Sequence, residues 1–161
     1  MSLSQDVEVL RSIPLFAKIE PTKLKLLAFT SERLEFMAGD ELFHQGDVGD
    51  AAYIVLDGVA EVMVDTPTGA VKVASLSRND IIGEIAILCD VPRTATVVAA
   101  TDLATLRVSK DGFFHLVTQF PQIGIEVMHE LASRLDHTTQ ALTTARARLA
   151  ELDKGSGDSG A

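Results

Sequence analysis

From Glu32 to Ser109 the chain is broken at intervals of about ten residues by turn-forming clusters, which no bundle of helices tolerates and an all-β sandwich or barrel requires. The clusters are Ala38-Gly39-Asp40, Gln45-Gly46-Asp47, Val48-Gly49-Asp50, Asp57-Gly58, Pro67-Thr68-Gly69 and Arg78-Asn79-Asp80, most with a glycine available where φ must be positive. Between them lie short apolar or alternating runs. At least six strands are predicted, over 41–44, 51–56, 59–65, 71–76, 93–99 and 103–108. In the third, Ala60, Val62 and Val64 face one way and Glu61 and Asp65 the other, the pattern of a half-buried strand.

The flanks follow a different period. Val7, Leu10 and Ile13-Pro14-Leu15-Phe16, then Pro21 with Leu24, Leu26, Leu27 and Phe29, predict helices within residues 5–30. After the strands, Ser109 is placed to cap a helix through Phe113, Phe114, Leu116 and Val117, and Pro121 opens a second. In that second helix Met128, Leu131, Leu135, Thr138, Leu142, Ala145, Leu149 and Leu152 step alternately by three and four, an unbroken a/d register that calls for a partner helix. Residues 154–161 carry no large apolar side chain and are predicted to be a disordered tail.

Fourteen basic against twenty-three acidic residues, a formal charge of −9, disfavour binding of nucleic acid by bulk electrostatics. A single cysteine, Cys89, excludes an internal disulfide and a cysteine-held zinc or iron–sulfur site, and fits a reducing compartment. The start has neither the basic nor the apolar region of an export signal, and no apolar run approaches the ~18 residues of a membrane span, so the expectation is a cytoplasmic chain with no membrane partner. His44, His115, His129 and His137 lack the spacing of a metal-binding barrel, and no Ser/His/Asp or Cys/His set is present, so neither a metal nor catalysis is expected.

One segment departs from the strand pattern. Ile82 to Val97 contains what reads as a single helical turn flanked by Gly83 and Pro92. Gly83 and Ala86 lack bulk, so a ligand can approach the backbone, and the start of the turn near Glu84 presents N–H groups to an anion. Arg93, nine residues after Glu84, supplies a guanidinium suited to two phosphate oxygens at once. A carboxylate beside an anion site makes sense if it accepts from a sugar hydroxyl, so the segment asks for a ribose phosphate.

Gly83-Glu84-Ile85-Ala86, five residues, then Pro92-Arg93-Thr94-Ala95-Thr96-Val97 resembles the phosphate-binding cassette of cyclic-nucleotide-binding domains. The resemblance extends over roughly residues 8 to 140, through Leu10 to Phe16, the Gly39-Asp40 to Asp50 hairpins and Tyr53 to Gly58. It implies a mainly β fold, a jelly-roll-like double-stranded β-helix of about eight strands over 32–109, with N-terminal helices, a short cassette helix and C-terminal helices over 110–153. It implies that Arg93 pairs with the exocyclic phosphate oxygens, that Glu84 accepts from the ribose 2′-hydroxyl, and that the backbone of Gly83, Ile85, Ala86 and Thr94 lines the phosphate. Ser133 to Thr139 resembles the bacterial catabolite-activator pattern, in which Thr138 would meet the adenine amino group and Thr139 would reach the ligand of the other subunit. Thr94, directly after the cassette arginine, is a position that favours guanine in this family.

The expectation is a non-enzymatic cyclic-nucleotide sensor, with cyclic AMP preferred over cyclic GMP, dimerising through Met128 to Leu152 and acting on an effector protein whose identity the sequence does not carry. The alternative is a β-roll interaction module binding cyclic GMP, another anionic effector or no ligand. The catabolite-activator family continues into a helix-turn-helix, whereas a few polar residues follow Leu152 here, so the chain is expected to be a bare sensor or a piece of something larger.

Overall fold

A computed structural model describes residues 3–158. Two helices, α1 (Leu3–Arg11) and α2 (Pro21–Thr30), precede eight strands: β1 (Glu32–Phe36), β2 (Glu41–Phe43), β3 (Ala51–Asp57), β4 (Ala60–Thr66), β5 (Gly69–Leu76), β6 (Ile81–Ile82), β7 (Thr96–Ala99) and β8 (Leu103–Ser109). A four-residue helix, α3 (Ile85–Leu88), lies between β6 and β7, and α4 (Lys110–Gln119) and α5 (Pro121–Asp158) close the chain. The strands form two antiparallel sheets, ordered β1-β8-β3-β6 and β2-β7-β4-β5, the β-roll expected.

The strand β3 joins two cores because its side chains alternate between faces. Ala52 and Ile54 join Leu106, Leu10, Phe16, Leu24, Phe113 and Ile123 in a cluster between the roll and the helices. Ala51, Tyr53 and Val55 point the other way, to Ile82, Val97 and Leu103 inside the roll. Both faces of β3 are therefore buried, and its apolar run lacks the alternation of a surface strand.

The differences from the sequence reading have local causes. The strand predicted from Arg93 begins only at Thr96, because residues 93–95 are held by the Gln45–Asp50 loop: Arg93 N–H donates to Asp47 O (2.8 Å) and Gly46 N–H to Arg93 O (2.8 Å). β6 is two residues long, too short for any periodicity to announce it. α5 runs to Asp158, past residue 154 where the tail was predicted to begin; once a helix is nucleated, each further residue adds one hydrogen bond. Residues 159–161 of that tail lie outside the described residues.

Candidate ligand site

Arg93 is the centre of the site. Its side chain is 7% exposed and lies in a slot between strands, with Nη2 donating to Ala51 O at 2.7 Å. The guanidinium stacks on the Phe43 ring, its Cζ 3.9 Å from the ring centroid. No carboxylate among the described residues lies in ion-pair range, and Nε and Nη1 are buried without a hydrogen-bond partner. Burial pushes the Arg93 pKa below its usual value, opposed by the charges of Tyr53, Asp50 and Asp47. A buried cation with two idle donors is unfavourable unless an anion completes it.

Arg93 borders a cavity of about 210 Å³. Gly83, Glu84, Ile85 and Ala86 line one side, Arg93 and Thr94 another, and Phe43, Val62, Leu76 and Val97 give it apolar walls. Six of the eight residues expected to bind ligand are thus brought together. Gly83 is required by geometry: its φ is +74°, and a Cβ there would collide with Nη1 of Arg93. Gly49 has a similar role below α3, where a Cβ would come within 2.6 Å of Ala86 Cβ. Part of the turn's hydrogen-bonding capacity is internal, with Ala86 N–H donating to Gly83 O at 3.0 Å and Ile87 N–H to Glu84 O at 3.2 Å.

Glu84 does not stand free at the mouth. Its Oε1 faces Nη1 of Arg134 on α5 at 3.5 Å, and Arg134 Nε lies 3.5 Å from Glu130. The cassette is therefore tied to the C-terminal helix by an ion pair. Arg134 stands in the Ser133–Thr139 string but received no role from the sequence; its signal was its place one turn before Thr138. Phe43, Gly49 and the Ala51 carbonyl were missed as well, since they meet Arg93 only through the fold.

Thr138 and Thr139 do not line the cavity of the single chain. Both are exposed, and their hydroxyls donate back along α5, to Arg134 O and Leu135 O at 2.9 Å each. Along the same helix Ile123 and Val127 are buried on the domain, while Met128, Leu135, Leu142, Leu149 and Leu152 are all more than half exposed. The heptad seam is thus uncovered in one chain. Among the described residues no cluster of three metal-ligating side chains occurs, and no helix is long and apolar enough to cross a membrane.

The chain is similar to known proteins in sequence and in fold. The family profile "Cyclic nucleotide-binding domain" matches residues 33–120, more than half of the chain. A cAMP-dependent protein kinase regulatory subunit from Aspergillus niger is 34% identical over 108 residues, covering 67% of this chain and 26% of the relative. The chain thus spans about a quarter of the kinase regulatory subunits it matches. A CRP-like cAMP-activated global transcriptional regulator from Mycobacterium tuberculosis is 25% identical over 136 residues, covering 84% of this chain and 61% of the relative. Among solved structures, the N-terminal domain of a transcriptional regulator from Streptomyces coelicolor A3(2) superposes with a TM-score of 0.77 at 30% identity, covering 83% of this chain and 94% of that one. Fold, cassette and family profile coincide on the same residues, and the chain belongs to the cyclic nucleotide-binding domain family.

Proposed function

We propose that this chain is a non-catalytic, cytoplasmic cyclic-AMP sensor whose ligand is coupled to the C-terminal helix and, through it, to formation of a homodimer. The observation that carries the ligand reading is Arg93, a cavity-lining residue that is buried and stacked, with Nε and Nη1 unpaired. Arg93 and Glu84 are the charged residues of the cavity lining, and Glu84 already faces Arg134. One cation without a carboxylate matches a monoanion, and a cyclic phosphodiester is one. A phosphomonoester brings a second charge with no cation to receive it.

Cyclic AMP is preferred because the relatives above are named for it and because the Ser133–Thr139 string suits adenine. Cyclic GMP is the second reading, supported by Thr94, whose exposed side chain lies at the cavity rim. Coupling to the helix rests on the Glu84–Arg134 ion pair: a ligand that engages Glu84 alters the contact that ties α5 to the cassette. The effector is a protein of a signalling or transcription-control system; at a charge of −9 the chain itself is not expected to bind duplex DNA.

Calorimetric titration with cyclic AMP, cyclic GMP and 5′-AMP tests the reading. Cyclic AMP should bind at micromolar or better affinity, cyclic GMP more weakly and 5′-AMP far more weakly. Equal affinity for cyclic AMP and 5′-AMP would refute the monoanion site, and tighter binding of cyclic GMP would transfer the preference to Thr94.

A further inference from the structure

The arrangement around the Arg93 guanidinium contains a group that the cassette does not include. A buried arginine ordinarily takes a carboxylate or several carbonyls. Here one carbonyl, Ala51 O, satisfies Nη2, and the remaining contact with the cation is the face of Phe43 at 3.9 Å. The ring is itself fixed: its centroid lies 6.2 Å from that of Tyr53, which stands 6.1 Å from Phe36 and edge-on to it. Phe43 Cζ also comes within 3.5 Å of where a Gly83 Cβ would be, so the ring reaches both halves of the site. The guanidinium is held between the ring below, Gly83 and Gly49 beside it, and the Ala51 carbonyl at one end.

We propose that Phe43 is a positioning residue for ligand binding: its ring holds the Arg93 guanidinium by a cation–π contact in the orientation that leaves Nε and Nη1 free for an anion. The alternative for the side chain lies close by. The charges of Asp47 and Asp50 already favour the cation, and both belong to the loop that grips the Arg93 backbone. An arginine that swung to either would satisfy its idle donors and lose them to the ligand. The ring stabilises the cation without occupying a donor, so the binding-competent orientation stays populated in the free protein. Apparent affinity scales with that population, so weakening the ring contact lowers affinity even though no ligand contact is removed. This inference rests on the anion-site reading above.

The test separates ring electrostatics from ring volume. Site-specific replacement of Phe43 by 3,4,5-trifluorophenylalanine keeps the shape and removes most of the negative charge of the ring face. The expected result is cyclic-AMP affinity reduced about tenfold, as a competent fraction of roughly one in ten produces, with the fold retained by circular dichroism. Phe43→Leu should weaken binding at least as much. Unchanged affinity of the fluorinated protein would overturn the proposal. A second readout does not depend on the ligand: in free wild-type protein the Arg93 guanidinium N–H protons, carried by a group whose Cζ lies 3.9 Å from the Phe43 ring centroid, should resonate upfield and shift back in Phe43→Leu. If wild-type protein binds no cyclic nucleotide, the ligand reading falls, and this shift still decides the platform: its loss in Phe43→Leu supports it, and the same resonance in both proteins overturns it.

Discussion

Arg93 sets the site's affinity against the stability of the free fold. Its unpaired Nε and Nη1 are buried polar groups of the kind that cost about 1–3 kcal/mol each when no partner is supplied. Arg93→Met keeps a long, flexible side chain in the slot, and its thioether packs well on the Phe43 ring. Urea unfolding of the ligand-free variant should therefore show a midpoint at or above that of the parent, while cyclic AMP no longer raises it. A variant that is both less stable and still stabilised by the nucleotide would contradict this account. Gly83→Ala acts on the same atoms from the other side, because a Cβ at φ +74° runs into Nη1. Its expected effect is a loss of affinity of at least tenfold, the equivalent of ~1.4 kcal/mol, read by calorimetry.

Among the elements, α4 shows how a single cap fixes the base on which the long helix stands. Ser109 closes β8 opposite Ala51 and its Oγ accepts from Gly112 N–H at 3.0 Å, so strand end and helix start share one residue. Gly112 leaves room for this, since a Cβ there would come within 2.8 Å of Ser109 Oγ and 3.1 Å of Thr30 Oγ1. Ser109→Ala should cost about 1 kcal/mol in chemical denaturation and leave cyclic-AMP affinity unchanged, because the lost hydroxyl serves Gly112 N–H and Ser109 does not line the cavity. That cap, and Pro121 at the start of α5, were legible because capping and proline chemistry are local. The turn glycines marked the strand ends for the same reason. β6 was not legible, since two residues carry no period, and neither was the late start of β7, which depends on the distant Gln45–Asp50 loop pairing with Arg93. The site divides in the same way: residues contiguous in the cassette were readable, while Phe43, Gly49 and Arg134 arrive from β2, the β2–β3 loop and α5 through tertiary packing.

In the whole molecule α5 carries an apolar stripe that its own domain does not cover. Leu135 is 68% exposed, Leu142 53% and Leu149 61%, all on one stripe with Met128 and Leu152, and isolated apolar exposure on that scale is unstable against pairing. A parallel partner fits best. In the a/d register Arg148 falls at a g position and Asp153 at the following e position, which face each other across a parallel seam. An antiparallel seam would instead bring Arg134 of one chain near Arg148 of the other. In a parallel dimer Thr139, at e, would stand beside Arg134 of the partner subunit, at g, the position that in the single chain meets Glu84 of the cassette. Each site would then be completed by a hydroxyl from across the seam, so ligand and dimer stabilise each other by linkage. Leu142→Asp places two carboxylates face to face in that seam, well away from the cavity of its own chain. The expected outcome is a monomer by light scattering, with cyclic-AMP affinity reduced in parallel and the fold retained by circular dichroism. A monomeric parent with and without nucleotide, or a Leu142→Asp monomer that binds as tightly as the parent, would break the link between seam and site and leave Arg93, Glu84 and Phe43 to account for the affinity of each chain alone.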